Sequence, residues 1–594
     1  MEKRLIAATA LSFLVLVGWQ LLFVKPRLQN RPKPVETAAA AEPQAAEAGK
    51  PFVKTPGEGP AAELVAAPVV PAAVRPVAAT AAVQADSETE TVVETSLYRA
   101  VWSNRGAVLK SFQLKKHKGS NNNNLELVQL RSAEPGRYPF SLWFEDEKAD
   151  GPDALSSRLN SALYKLSGSS LDLADGSRGE LRFEYSDGNG TVCEKTFTFT
   201  GGDYEVGIGL KVEQEGRPLK AAVLWGPGIA NYSPEEIKLR YSAFSGIAVF
   251  SGGRVFRTNQ NKFDPAKAVY NSVDWAAYED NYFTALFVAA TGRGEAVFIQ
   301  EIPETSAEGR ASSPAGTAAS GGGTNPKTGR PVPAYFLAVS APVSAYIGPK
   351  EIDALKAYGH QAKRVINFGA FGAVAEVMLA MVKYFFRLVP NWGLAIILMT
   401  FVIKIILFPL TYSSTKSMAK MAEIQPKLKA IRAKYKKAKT DLEQRKQMNE
   451  EMMKLYKEHG INPAGGCLPL LIQLPIFWGV FRMLVVSVEL RHSPFILWIK
   501  DLSVRDPYYV TPILMGATQF ISQKMTPTSA DPAQARMMLM MPVIMTVFFM
   551  NFQSGLVLYW LTTNVLQIGQ QALMNRLMAA KKRDSDGKRD KKRT

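Results

Sequence analysis

The sequence predicts an α-helical polytopic membrane protein with six transmembrane helices and a large β-sandwich domain on the outer side of the bilayer. Three observations lead there. Apolar stretches of near membrane-spanning length crowd the C-terminal part of the 594-residue chain. Period-two alternation of apolar and polar residues dominates the middle. The basic charge sits in two segments instead of being spread along the chain.

The first apolar run, 5–24, follows Lys3 and Arg4. Lys25, Pro26 and Arg27 come next, where a cleavage site needs small residues, so residues 1–28 read as an uncleaved signal-anchor helix. Residues 29–91 are rich in Ala, Pro and Glu and read as a disordered linker, because such a composition buries too little apolar surface to fold. From 92 to 345 the pattern is that of strands. Tyr204, Val206, Ile208, Leu210 and Val212 alternate with Glu205, Gly207, Gly209, Lys211 and Glu213. Just upstream, Phe197 and Phe199 alternate with threonines, and Gly201 and Gly202 mark the turn of a hairpin. Repetition of such runs predicts the sandwich. The Gly/Ser/Ala-rich stretch at 311–324 reads as a surface loop.

Five further apolar runs lie at 392–410, 467–488, 508–523, 537–552 and 555–571. The stretch 368–388 is apolar too, but Glu376, Lys383 and Arg387 interrupt it and only three residues separate it from the next run. Counting it as a span puts the basic 411–460 segment on the same side as the sandwich. Residues 346–390 are therefore read as a linker helix followed by an amphipathic helix in the outer interface. Six spans remain, with both termini inside. The positive-inside tendency agrees: 411–460 holds 13 Lys/Arg against 6 Asp/Glu and 581–594 holds 8 against 3, out of a net charge of +18. Such segments suit anionic lipid headgroups or RNA, and a solvated face that keeps a loop cytoplasmic accounts for them equally well. Within 412–460, a composition rich in Lys, Met, Gln and Glu, broken at Thr440 and Asp441, predicts a helical hairpin. Met418, Met421, Met448, Met452 and Met453 give it an adaptable apolar face.

Covalent chemistry has no visible site. Cys193 and Cys467 fall on opposite sides of the membrane in this topology, which excludes a disulfide between them. His117, His360, His459 and His492 lie outside HExxH or CxxC spacings and outside the spans, so neither a metal, a cofactor nor an enzymatic reaction is expected. The polar residues inside the spans are more telling. Lys404 lies within 392–410, where an ammonium costs roughly 2.5–3.5 kcal/mol on insertion scales. Snorkelling stays open as a reading, since 410 is about 9 Å away along a helix. Thr400 lies one turn earlier on the same face. Gln473, Ser522, Gln523, Asn564 and Gln567 fall in the cytoplasmic halves of other spans. Singly, each serves as glue between helices; jointly, they predict a hydrated recess open to the cytoplasm. The run 537–552 reaches only about 24 Å against a hydrocarbon core of about 30 Å, which favours a locally thinned bilayer.

Several stretches resemble one family. NWGLAIILMTFVIKIILFPLT (391–411), SMAKMAEIQPKLKAIR (417–432), INPAGGCLPLLIQLPIF (461–477), SVELRHSPFILWIKDLSVRDPYYVTPILMG (487–516) and FQSGLVLYWLTTNVL (552–566) look like the YidC/Oxa/Alb membrane insertases in their Gram-negative form. SNRGAVLKSFQL (103–114) and YIGPKEIDALKAYG (346–359) extend the resemblance more weakly. It implies a five-helix insertase core at 391–575 with a groove open to cytoplasm and lipid, a periplasmic sandwich, a basic cytoplasmic tail at 576–594, and a place in the inner membrane. The implied partners are nascent membrane proteins, the Sec translocon, the ribosome through the tail and cytoplasmic loops, and anionic lipids. The implied groove includes Lys404, Thr400, Gln473, Ser522, Gln523, Tyr559, Trp560 and Asn564. Lys404 stands where the family usually has arginine, so the charge is kept and the bidentate fork lost. Arg482 lies nine residues after Gln473, half a turn out of phase, and is expected to reach outward. The rival reading is a secondary transporter or channel using the intramembrane Lys and Gln cluster, but the spans show no inverted repeat.

Overall fold

The computed structural model describes residues 81–119, 122–129, 137–145, 154–233, 236–237, 244–290, 294–301, 334–435, 441–460, 468–525 and 532–590. The expected signal-anchor helix and most of the 29–91 linker lie outside the described residues.

Strands from Glu90–Thr95 to Pro342–Pro349 form three sheets, one of ten strands and two of five. The hairpin read from the alternation stands at the centre of the large sheet. Thr191–Thr200 pairs antiparallel with Glu205–Gln214, placing Phe199 opposite Val206 and Phe197 opposite Ile208. Its turn depends on two glycines: Gly202 has φ +82°, and a Cβ on Gly201 would meet the Ala174 carbonyl oxygen at 2.0 Å. Both smaller sheets pack on the large one through aromatic side chains. Trp102, on Tyr98–Ser103, lies 4.1 Å from Phe197 between ring centroids, and Trp225, on Ala222–Trp225, lies 6.1 Å from Phe287. Between the layers, Lys195 is fully buried. It donates to the carbonyls of Gly106 at 2.6 Å and Phe140 at 2.8 Å, and burial pulls its pKa down to about 8.

Helix α1, Leu155–Ser161, lies among the strands. After the last strand come α2, Ile352–Tyr358, and α3, Gly372–Leu388. Two of the three charges that interrupt α3 explain its setting. Ala375, Met378, Leu379 and Val382 are buried, while Glu376 pairs with Lys363 at 2.6 Å and Lys383 reaches Asp353 at 2.8 Å and Glu489 at 3.1 Å. Burial works against the Lys383 ammonium, but the two carboxylates outweigh it and hold its pKa above the usual lysine value.

The rest is helical: α4, Trp392–Glu423; α5, Gln425–Lys434; α6, Leu442–Glu458; α7, Leu468–Val486; α8, Val510–Met525; α9, Pro532–Phe549; and α10, Ser554–Asp590. Asn391 caps α4 by accepting from the Leu394 amide at 3.0 Å, and the Asp441 carboxylate caps α6. Two helices outrun their apolar stretches. α4 continues past Pro409 into the first arm of the hairpin, which then turns at Ile424. α10 continues to Asp590, through most of the segment read as a separate tail. From Gln571 the chain offers helix formers, with neither proline nor glycine before Gly587. Within the hairpin, Ile424 and Leu428 bury themselves against Met421, Met452, Leu455 and Tyr456.

Among the described residues, α4 alone is long and apolar enough to cross a membrane by length and composition; shorter apolar helical stretches run Leu471–Val486 and Met538–Phe549. The exposed surface of these helices is nonetheless apolar. Phe401, Ile405 and Ile406 on α4, Leu471 on α7, Ile513 on α8, Val543 and Val547 on α9 and Val565 on α10 all point outward. So continuous an apolar belt suits lipid rather than water.

Candidate functional site

α10 organises the polar groups within the helical region. At 100° per residue, positions 559, 567 and 570 fall within about 80° of one another, and 560 and 564 occupy the adjoining sector about 40° wide. The first sector meets α7 and α4. Gln473 Nε2 donates to the Tyr559 hydroxyl at 2.8 Å, and Lys404 Nζ donates to Gln567 Oε1 at 3.0 Å. Gln570 Nε2 donates to Thr411 Oγ1, whose hydroxyl in turn donates to the Leu407 carbonyl at 3.1 Å. The second sector meets α8: Trp560 Nε1 donates to Gln519 Oε1 at 3.2 Å, and Asn564 Nδ2 donates to the Met515 carbonyl at 3.1 Å. Phe477 of α7 sits edge-on to Trp560 at 5.1 Å, walling this side with aromatic rings. α8 and α9 approach closely because Gly516 has no side chain; a Cβ there would lie 1.8 Å from Thr546 Oγ1.

The candidate residues of the sequence therefore divide. Lys404, Gln473 and Trp560 are half-buried members of the seam. Tyr559 and Asn564 belong to it but are buried, at 0% and 8% exposure. Ser522 and Gln523 are half-buried near the end of α8, past Gln519. Thr400 stands apart: at 1% exposure, its hydroxyl donates to the Ile396 carbonyl of its own helix at 2.7 Å. Gln519, Gln570 and Thr411 join the seam without standing out in the sequence. Gln519 lies four residues before Gln523 and Gln570 three after Gln567, so same-face spacing is the signal that could find them. Arg482, near the C-terminal end of α7, turns away from the seam and donates to the Asn367 carbonyl ahead of α3.

The chemistry of the seam is unusual in one respect. Its ammonium is met by a neutral amide, and among the described residues no carboxylate pairs with it. The seam can therefore hold water, a polar peptide segment or an anionic group, and it contains no nucleophile–base arrangement.

Two family models match the chain: one described as YidC periplasmic domain over residues 90–381, and one described as 60Kd inner membrane protein over 384–582. A membrane protein insertase YidC from Citrifermentans bemidjiense is 35% identical over 98% of this chain and 100% of its own length. The chain belongs to the YidC family of membrane protein insertases. The YidC insertase of Geobacter metallireducens is 36% identical, over 98% of this chain and 99% of its own. Among solved structures, an active YidC insertase crystal structure with the first transmembrane domain resolved aligns at 20% identity and a TM-score of 0.34, covering 83% of this chain and 94% of that one. The resemblance drawn from 391–570 thus extends over the whole YidC-family chain. It makes the chain an inner-membrane protein with a periplasmic domain, and the two matched regions adjoin inside α3.

Proposed function

We propose that this insertase moves hydrophobic segments into the bilayer through the α4–α10 seam, which opens as a hydrated groove toward the cytoplasm and lipid. The observation that carries the reading is Lys404. It lies 12 residues into α4, about 18 Å along the helix, and its hydrogen-bond partner is the neutral Gln567. A cation so placed is costly in hydrocarbon, and water in a groove offsets that cost. A substrate's polar flank then enters at reduced expense, with acidic flanks favoured by the charge. The apolar segment slides into lipid between α7 and α10. The driving force is apolar transfer, about 0.8 kcal/mol per buried CH2, and the chain performs no covalent chemistry.

The topology that accompanies this reading has six spans, the signal anchor plus α4 and α7–α10, with both termini cytoplasmic and α3 in the outer interface. The division of the chain is a linker at 29–91, a periplasmic sandwich at 92–345, a linker and interfacial helix at 346–390, a five-helix core at 391–575 and a basic cytoplasmic end at 576–594. α8 has 16 residues and α9 has 18, about 24 and 27 Å, so both favour a thinned bilayer. The α5–α6 hairpin, with Met453 exposed, receives the nascent segment. The basic end of α10 and the cytoplasmic loops meet the ribosome and anionic lipids, and the Sec translocon is the partner for larger substrates.

Reconstitution tests the function. Proteoliposomes holding the purified chain should convert a single-span protein with a short acidic tail into a protease-protected form. Saturable small-solute flux without such protection would instead favour a transporter.

A further inference from the structure

We propose that the tip of the loop following α7, Ile496 and Leu497, is buried in the outer leaflet of the protein's own bilayer. Ile496 is 52% exposed and Leu497 79% exposed, an unusual amount of bare apolar surface for a loop whose flanks are tightly held. The flanks fix its height. Asn391, the cap of α4, donates through Nδ2 to the Phe495 carbonyl at 2.9 Å. Gly393 leaves room for the Phe495 ring, since a Cβ there would come within 2.1 Å of it. The tip therefore lies level with the first turn of α4, where the lipid-facing belt begins with Leu394 at 39% exposure.

Part of the loop's backbone is satisfied within the loop itself. The Phe495 amide donates to the Ile499 carbonyl at 2.9 Å and the Ile499 amide to the Ile496 carbonyl at 3.1 Å, which closes a tight turn on itself. Within that turn Leu497 has φ +52°. Glycine adopts this conformation without strain, whereas a leucine is strained there, so the side chain has a use at this position that outweighs its backbone cost.

The loop and the neighbouring ends of α3 and α4 carry residues typical of a membrane–water boundary. Trp498 buries its ring partly and donates Nε1 to Asp506 at 3.1 Å. Trp392 stacks on Phe386 at 4.1 Å, and Tyr384, Leu388 and Tyr508 are exposed at 59%, 62% and 68%. Lys500, exposed just past the turn, suits a lipid phosphate. Lipid is the occupant that continues the apolar belt already present on α4. A wedge here anchors the outer ends of α7 and α8 and loosens lipid packing beside the two short helices.

The inference rests on the proposed topology, in which this loop faces outward, and the test separates the two. A single cysteine at Leu497 or, as the aqueous reference, at Arg254 on the exposed Arg254–Asn259 strand is placed in the full chain carrying Cys467→Ser; Cys193 is buried. Each is labelled with an environment-sensitive NBD probe and reconstituted. Exposure of the 254 label to an impermeant quencher outside oriented vesicles checks the topology alone. The expected result is blue-shifted emission at 497, quenched more by lipids carrying a shallow nitroxide than by lipids with a deep one. Emission at 497 that matches 254 and responds to aqueous iodide would overturn the proposal. A blue shift that neither nitroxide lipid quenches would overturn it too, because protein would then cover the tip.

Discussion

The Lys404→Glu variant is expected to insert substrates with acidic flanks about 100-fold more slowly than the parent, and substrates with neutral flanks at close to the parent rate. The magnitude follows from Coulomb's law. A carboxylate about 6 Å from the ammonium, in the proposed wet groove with an effective dielectric of about 40, gains on the order of 1.4 kcal/mol. Charge reversal turns this attraction into equal repulsion, a swing of about 3 kcal/mol and so roughly 100-fold. Local packing tolerates the change, since the Gln567 amide that now accepts from Lys404 can rotate to donate to glutamate. Lys404→Arg keeps the charge and should retain insertion. The measurement is the initial rate of protease protection for a matched pair of substrates differing only in flank charge. Equal slowing of both would remove the electrostatic role and leave only a structural one.

The second large effect concerns Arg491, which ties the loop after α7 to the periplasmic domain. Its side chain is 2% exposed and that of Glu236 is 7% exposed, with Nη2 and Oε1 2.9 Å apart. Nη1 also donates to the Lys118 carbonyl at 2.7 Å, and the guanidinium lies over the rings of Tyr232 at 5.4 Å and Phe283 at 5.8 Å. Arg491→Ala takes the guanidinium away from a buried carboxylate that His492 approaches at 3.6 Å. Breaking a buried pair from one side costs about 3–5 kcal/mol. The variant should show a lowered thermal midpoint for the periplasmic domain and new trypsin cleavage near the loop. Glu236→Gln keeps a neutral acceptor and should lose less, about 1–3 kcal/mol. Replacing both residues with leucine should cost less than the sum of the single changes. Unchanged protease resistance in Arg491→Ala would mean that the pair does not hold the domain.

What is legible in the sequence follows the range of the interactions involved. The 191–214 hairpin can be read because its strands are neighbours and their alternation is local. The assignment of Ala222–Trp225 to a separate sheet cannot, because its partner Ala334–Ser340 lies more than 100 residues away. The charges of α3 set it apart from the other apolar runs, yet Asp353 and Glu489, which hold Lys383, lie outside the stretch. Lys404 stands out as an anomaly in an apolar run. Its pairing with Gln567, and the membership of Gln519, Gln570 and Thr411, depend on the rotation of α4, α8 and α10 about their axes, which spacing within one helix leaves open. Thr400 shows the limit of a same-face argument. A threonine one turn from Lys404 satisfies itself on the Ile396 carbonyl, because that acceptor is always within reach inside a helix.

The proposed hydration of the seam is tested most directly by thiol chemistry from the cytoplasmic side. Single cysteines at Lys404 and Gln567 are treated with a membrane-impermeant maleimide in inside-out vesicles, with Leu442→Cys, at an 80% exposed hairpin position, as the fully wet reference. A water-filled groove predicts that 404 and 567 react, more slowly than 442 but to completion, and that an engaged substrate protects them. Positions 404 and 567 staying unmodified while 442 reacts would contradict a groove open to the cytoplasm.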